Sequence, residues 1–114
     1  SNLSTLKGLK FNQVNNKIKN GVWATVVEFD KNQNLNAEDL INDLSKNNLP
    51  SRPFFYPLSS LPAYDQKNIY EKVNTNSYNI YKRAIVLPSA LNLNNDLIDF
   101  YCEKLIKILK KYNG

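Results

Sequence analysis

The sequence predicts an α+β domain: a small sheet of three or four mostly antiparallel strands, helices packed on one face, and a long C-terminal helix. Three observations carry this. Val22 to Phe29 is an unbroken β-branched and aromatic run. From Asn95 to Tyr112 apolar residues return every three or four positions. Between them a capped helix, a proline-bracketed aromatic stretch and a short apolar run follow one another, the mixed order of a layered sheet-and-helix domain.

Residues 1–20 are polar with scattered apolar positions, and read as an approach segment ahead of a small domain over 21–114. The first ten allow a helix remnant; Asn12 to Asn20 reads as poorly structured. Gly21 opens and Asp30-Lys31-Asn32 closes the first strand. Apolar residues on both faces of its middle predict a central position in the sheet. Asn36 then suits a helix N-cap, with Glu38 and Asp39 near the positive end of the dipole. Leu40, Ile41 and Leu44 form that helix's apolar stripe, and Leu49-Pro50 forbids its continuation.

Pro53 and Pro57 bracket Phe54-Phe55-Tyr56. Proline cannot donate to a ladder, so this is an edge strand or an extended segment. Alternation sends Phe54 to the core and Phe55 to the other face. Leu61-Pro62-Ala63-Tyr64 continues as an ordered loop. Asn76 to Arg83 reads as a short amphipathic helix and Ala84–Leu87 as a buried strand stopped by Pro88. The last helix carries Leu97, Ile98, Tyr101, Cys102, Leu105, Ile106, Leu109 and Tyr112 as its stripe, with acids first and lysines last.

Composition excludes much chemistry. The 114 residues fit one domain. There is no histidine, so His-based catalysis, His metal sites and a histidine pH switch are absent. One cysteine, Cys102, rules out a disulfide framework and a zinc-finger array. It lies on the apolar stripe and reads as inert. Three scattered glycines make no phosphate-binding loop. No metal site and no catalytic residue are expected. No apolar run is long enough for a membrane span, and no signal-peptide pattern opens the chain. The chain lacks methionine; Ser1-Asn2 is consistent with a cloning remnant, and the chain reads as a piece of something longer. The net charge of +5 comes mostly from lysine, with Arg52 and Arg83 the only arginines. Dedicated phosphate or base recognition leans on arginine. Glu28 and Asp30 share a side of the first strand, but read as a solvated residue and a turn starter.

The segment from Ser51 to Tyr64 stands apart. Its prolines stiffen it before anything binds. Stiff rings and hydroxyls beside an arginine suit a sugar or a nucleotide: faces for stacking and a cation for phosphate. Packing of the rings into the core is the competing reading.

Arg52-Pro53-Phe54-Phe55-Tyr56-Pro57-Leu58-Ser59-Ser60-Leu61-Pro62-Ala63-Tyr64 resembles the small-domain signature of the DegT/StrS family of pyridoxal-phosphate-dependent sugar aminotransferases, in its perosamine-synthase-like branch. Residues 23–30, 36–52, 77–89 and 93–109 resemble the family's other small-domain elements in register. Two histidines of many members are missing, with Phe55 and Ser59 in their neighbourhoods. The resemblance implies a cytoplasmic homodimer whose parent chain adds a large N-terminal domain that holds pyridoxal phosphate. That domain carries the Schiff-base lysine, so the present chain alone is expected to bind no cofactor and to be inactive. The implied substrate is a nucleotide-linked 4-keto-6-deoxy sugar, with an amino acid, glutamate by expectation, as the amino donor. Arg52, Phe55, Tyr56 and Ser59 are the implied substrate-side residues, with Trp23 a candidate beside them. Neither nucleic acid nor membrane is an expected partner. The rival reading is a small basic module that stacks RNA bases on Phe54, Phe55 and Tyr56, or a ligand-binding or regulatory domain.

Overall fold

The computed structural model describes residues 3, 6–21, 23–64, 67–89 and 92–112. Four strands, β1 (Leu9–Phe11), β2 (Thr25–Phe29), β3 (Arg52–Pro53) and β4 (Ala84–Leu87), form one sheet in the order β1-β2-β4-β3. Every neighbouring pair is antiparallel, with Val27 opposite both Phe11 and Ile85. The predicted fold class is therefore the observed one, and the Val22–Phe29 run supplies the central strand β2.

The sheet has a core face and an outer face, because side chains alternate along each strand. Val27, Phe29, Ile85 and Leu87 point inward and are buried. Helices α1 (Ala37–Lys46) and α4 (Asn95–Leu109) cover them through Leu40 and Leu44, and through Leu105, Ile108 and Leu109, in one cluster. Leu9 and Phe11 of β1 pack against the same cluster.

Strand β1 corrects the reading of the first ten residues as a helix remnant. Leu9, Lys10 and Phe11 alternate over too few residues to signal a strand, and pairing with β2 decides it. Asn12 then extends the pairing with its side chain. Its amide donates to the Ala24 carbonyl (3.1 Å) and its oxygen accepts from the Val26 amide (2.8 Å), so one carboxamide stands in for a peptide unit.

Helix α1 begins as its cap predicts, with the Asn36 side chain accepting from the Glu38 amide at 2.8 Å. It ends in a Schellman arrangement. Asn48 takes φ +56°, its amide reaches the Ser45 carbonyl, and the Leu49 amide reaches the Leu44 carbonyl. Leu49 is thereby buried, and the chain is aimed through Pro50 into edge strand β3.

Two further helices, α2 (Lys67–Val73) and α3 (Thr75–Ile80), join β3 to β4 through a 3-10 turn at Tyr81–Arg83. The sequence reading had only α3 and that turn, as a single helix. α2 escaped it because Ile69 and Val73 lie on an exposed face and bury no stripe. α4 also departs from its predicted stripe. Leu97 and Ile98 are exposed while Ile108 is buried, because the helix outruns the small core at its N-terminal end. No helix among the described residues is long and apolar enough to cross a membrane.

Candidate functional site

On the outer face, a cleft of about 500 Å³ opens beside the edge strand. β4 supplies its floor, with Val86 and Leu87 running into Pro88 and Ser89. One wall is Trp23 and Ala24, just before β2; the other is Pro50 to Pro53 with Phe55. Neighbouring strands β2, β4 and β3 thus place three sequence-distant segments side by side.

Each wall is tied down. The Ser89 hydroxyl donates to the Trp23 carbonyl at 3.2 Å. The Tyr101 hydroxyl, from α4, donates to the Pro50 carbonyl at 2.6 Å. Arg52 faces the outer side because its β4 partner is Val86, and it is exposed. Across the mouth the rings of Trp23 and Phe55 meet, their centroids 5.8 Å apart and planes tilted by 40°. Both rings stay largely open to solvent, Trp23 at 77% and Phe55 at 58%. Exposed rings of this size cost hydration free energy, which makes the mouth a place where something binds.

Of the four residues anticipated at the site, Arg52 and Phe55 come together here, with Trp23 opposite. Tyr56 and Ser59 form a second group. The Tyr56 ring packs on Tyr81 at 5.7 Å, and the Ser59 hydroxyl lies 3.1 Å from the Tyr78 hydroxyl, either being the donor. Phe54, expected in the core, is only half-buried and stands edge-on to Phe55 at 5.6 Å. The reason is local: β3 ends at Pro53, so strict alternation no longer holds for the rings beyond it.

Sequence reasoning missed two features of this face. Arg83 donates to the Glu28 carboxylate and, at 2.8 Å, to the Phe29 carbonyl. The pair lies across β2 and the turn before β4, with side chains 16% and 26% exposed, so Glu28 is not the solvated residue expected. Ser51 and Ser89 are the other omission. Neither has a local pattern, and only the strand order makes them neighbours of Trp23. Cys102 is half-buried, and burial first, then the Asp99 charge, pushes its thiol pKa up, which keeps it inert. Among the described residues no three His, Cys, Asp or Glu side chains gather into a metal site.

The model of the DegT/DnrJ/EryC1/StrS aminotransferase family matches residues 1–106. The chain belongs to that family. Among curated DegT-family relatives, it is 32% identical over 76 residues to EpsN of Bacillus subtilis (strain 168), described as a pyridoxal phosphate-dependent aminotransferase. It is 32% identical over 83 residues to the GDP-perosamine synthase of Vibrio cholerae, and 34% over 68 residues to that of Escherichia coli O157:H7. These matches cover 65%, 70% and 60% of this chain, but 19%, 22% and 18% of the relatives. The chain therefore spans about a fifth of the length of the curated relatives it matches. The likeness to the perosamine-synthase-like branch, read from the Arg52–Tyr64 signature, is borne out.

The DegT-family cofactor does not fit the cleft by itself. Pyridoxal phosphate chemistry needs a lysine for the aldimine and an acid for the pyridine nitrogen. Among the described residues the cleft lining contains no lysine, aspartate or glutamate.

Proposed function

We propose that this chain is the C-terminal small domain of a pyridoxal-phosphate-dependent aminotransferase acting on a nucleotide-linked 4-keto-6-deoxy sugar. The domain caps the active site of a cytoplasmic homodimer. A large N-terminal domain of the parent chain holds the cofactor and performs the amino transfer, with glutamate as donor. Arg52 and Phe55 form the substrate-side wall; Tyr56 and Ser59 extend it beyond β3. The isolated chain is inactive and carries no cofactor.

The observation that carries this reading is the Trp23–Phe55–Arg52 cleft in a chain of this family. Exposed rings and one cation, set on a wall held from behind by α4, suit a polar ligand with flat apolar parts. The relatives' far greater length supports a separate domain for the cofactor.

The test is an amino-transfer assay on the longer protein, with L-glutamate and a nucleotide-linked 4-keto-6-deoxy sugar. Transfer is expected, and Arg52→Ala is expected to lower kcat/KM. Absence of transfer across several such sugars overturns the substrate. A visible aldimine band in the isolated 114-residue chain overturns the division of labour.

A further inference from the structure

We infer that the cleft receives the nucleoside diphosphate end of the ligand, with the base on the Trp23–Phe55 ring pair and the phosphates on Arg52. This rests on the reading above and says which end of the substrate this domain grips.

The rings come first. Trp23 and Phe55 lie on different strands and reach each other only by spanning β4. At 5.8 Å between centroids no third ring fits between them. At 77% and 58% exposure, however, the pair offers free ring faces at the cleft mouth. A nucleobase covers such faces well, because every base has a flat π-surface. A hexose presents hydroxyls on both faces and has less apolar area for this platform.

The charge comes next. Arg52 is the only charged residue among those lining the cleft, and it forms no ion pair among the described residues. A guanidinium with no competing carboxylate is available to phosphate oxygens in a bidentate fork. In the same wall the Ser51 hydroxyl is shielded from solvent and has no hydrogen-bond partner. An orphaned buried hydroxyl is costly unless an arriving group satisfies it. The volume of about 500 Å³ falls in the range of small-molecule sites.

The chain has a single tryptophan, so its emission reports this cleft alone. The 114-residue chain is titrated separately with GDP, UDP and ADP, then with inorganic pyrophosphate, a hexose 1-phosphate and a short single-stranded oligonucleotide. At least one nucleoside diphosphate is expected to change Trp23 emission saturably. Pyrophosphate and the hexose phosphate are expected to bind about tenfold more weakly or worse, because they cannot stack. Phe55→Leu keeps apolar bulk but removes the ring face, and should weaken nucleotide binding by about tenfold. Arg52→Ala should weaken it roughly ten- to hundredfold and flatten its dependence on salt. Melts of both variants show whether the fold is intact.

The proposal is overturned if pyrophosphate or the hexose phosphate binds as tightly as the nucleotide. It is also overturned if no nucleotide gives saturation at millimolar concentration, or if the oligonucleotide binds tighter in proportion to its length. The longer protein separates this failure from failure of the aminotransferase reading. Amino transfer with an unchanged KM in Phe55→Leu sinks the subsite alone. Nucleotide binding without amino transfer sinks the enzyme reading alone.

Discussion

The Tyr101 hydroxyl of α4 donates at 2.6 Å to the carbonyl of Pro50, and so ties the last helix to the start of the cleft wall. β3 has little else to hold it. Its ladder is two residues long and one of them is proline, which gives no amide. Tyr101→Phe keeps the ring and removes this bond, and should cost ~0.5–1.5 kcal/mol. Urea melts of the two proteins measure it. An unchanged midpoint would mean that Leu49 alone anchors the wall.

The same helix predicts a loss of stability in alkali. Burial, with a smaller contribution from Cys102, pushes the Tyr101 hydroxyl up to about 12. The hydrogen bond to Asp43, followed by burial, does the same for Tyr112. Both folded values lie above the ordinary tyrosine value of about 10, so the folded state holds protons that the unfolded state gives up. Their contribution is present in full below pH ~10 and disappears as the pH rises toward ~12. Stability should fall across that window, and Tyr112→Phe should make the fall shallower. A flat stability profile there, from melts at stepped pH, would contradict the two contacts.

The Glu28–Arg83 pair should matter more than surface ion pairs do. Arg83 Nε is buried with no partner of its own, so the guanidinium already depends on Glu28 and the Phe29 carbonyl. Glu28→Ala strands that cation and should cost ~1–3 kcal/mol. The exposed Lys82–Glu71 pair should lose less than about 1 kcal/mol when Glu71 becomes alanine. Equal costs in denaturant melts would show that the Arg83 site is well hydrated.

Legibility in the sequence followed the length of the pattern. β2, α1 and α4 are long enough for alternation, capping or a repeating stripe to show, and each was read in place. β1 and β3 have three and two residues, too few for any period. They exist because β2 and β4 offer them ladder partners. The site divided in the same way. Arg52 and Phe55 stood out as a stiff local string, and the structure sets them in one cleft. Tyr56 and Ser59 belong to the same string but lie past the end of β3, where the chain turns toward Tyr81 and Tyr78. Trp23's role depends on strand order, which no local spacing encodes.

In α4, depth of burial separates three neighbours. Leu105 is 1% exposed, and Leu105→Ala should cost ~2–5 kcal/mol by leaving a cavity. Ile106 is only half-buried against the cluster, so Ile106→Ala should cost less, about 1–2 kcal/mol. Lys107 is exposed, and Lys107→Ala should stay within about 0.5 kcal/mol. The order of the three midpoints is the check; Ile106 exceeding Leu105 would rotate the assigned face.

The aromatic loop gives the sharpest comparison, because its three side chains sit in three settings. Arg52 is exposed, with no ion-pair partner among the described residues. Arg52→Ala should therefore leave stability within about 0.5 kcal/mol. In the longer protein it should lower turnover at low substrate roughly ten- to hundredfold, as expected for one charge-assisted hydrogen bond. Phe54 is half-buried and supports the Phe55 ring edge-on. Phe54→Ala should destabilise the domain by ~1–3 kcal/mol, short of the cost at a fully buried ring. It should also weaken substrate binding, since Phe55 loses its support. Tyr56 is 57% exposed and touches Tyr81. Tyr56→Ala should cost about 0.5–1.5 kcal/mol, the worth of an aromatic pair. A melt and a steady-state assay on the same three variants decide the matter. If Arg52→Ala keeps full activity while Tyr56→Ala destabilises as much as Phe54→Ala, the loop is a packing element and the cleft has another purpose.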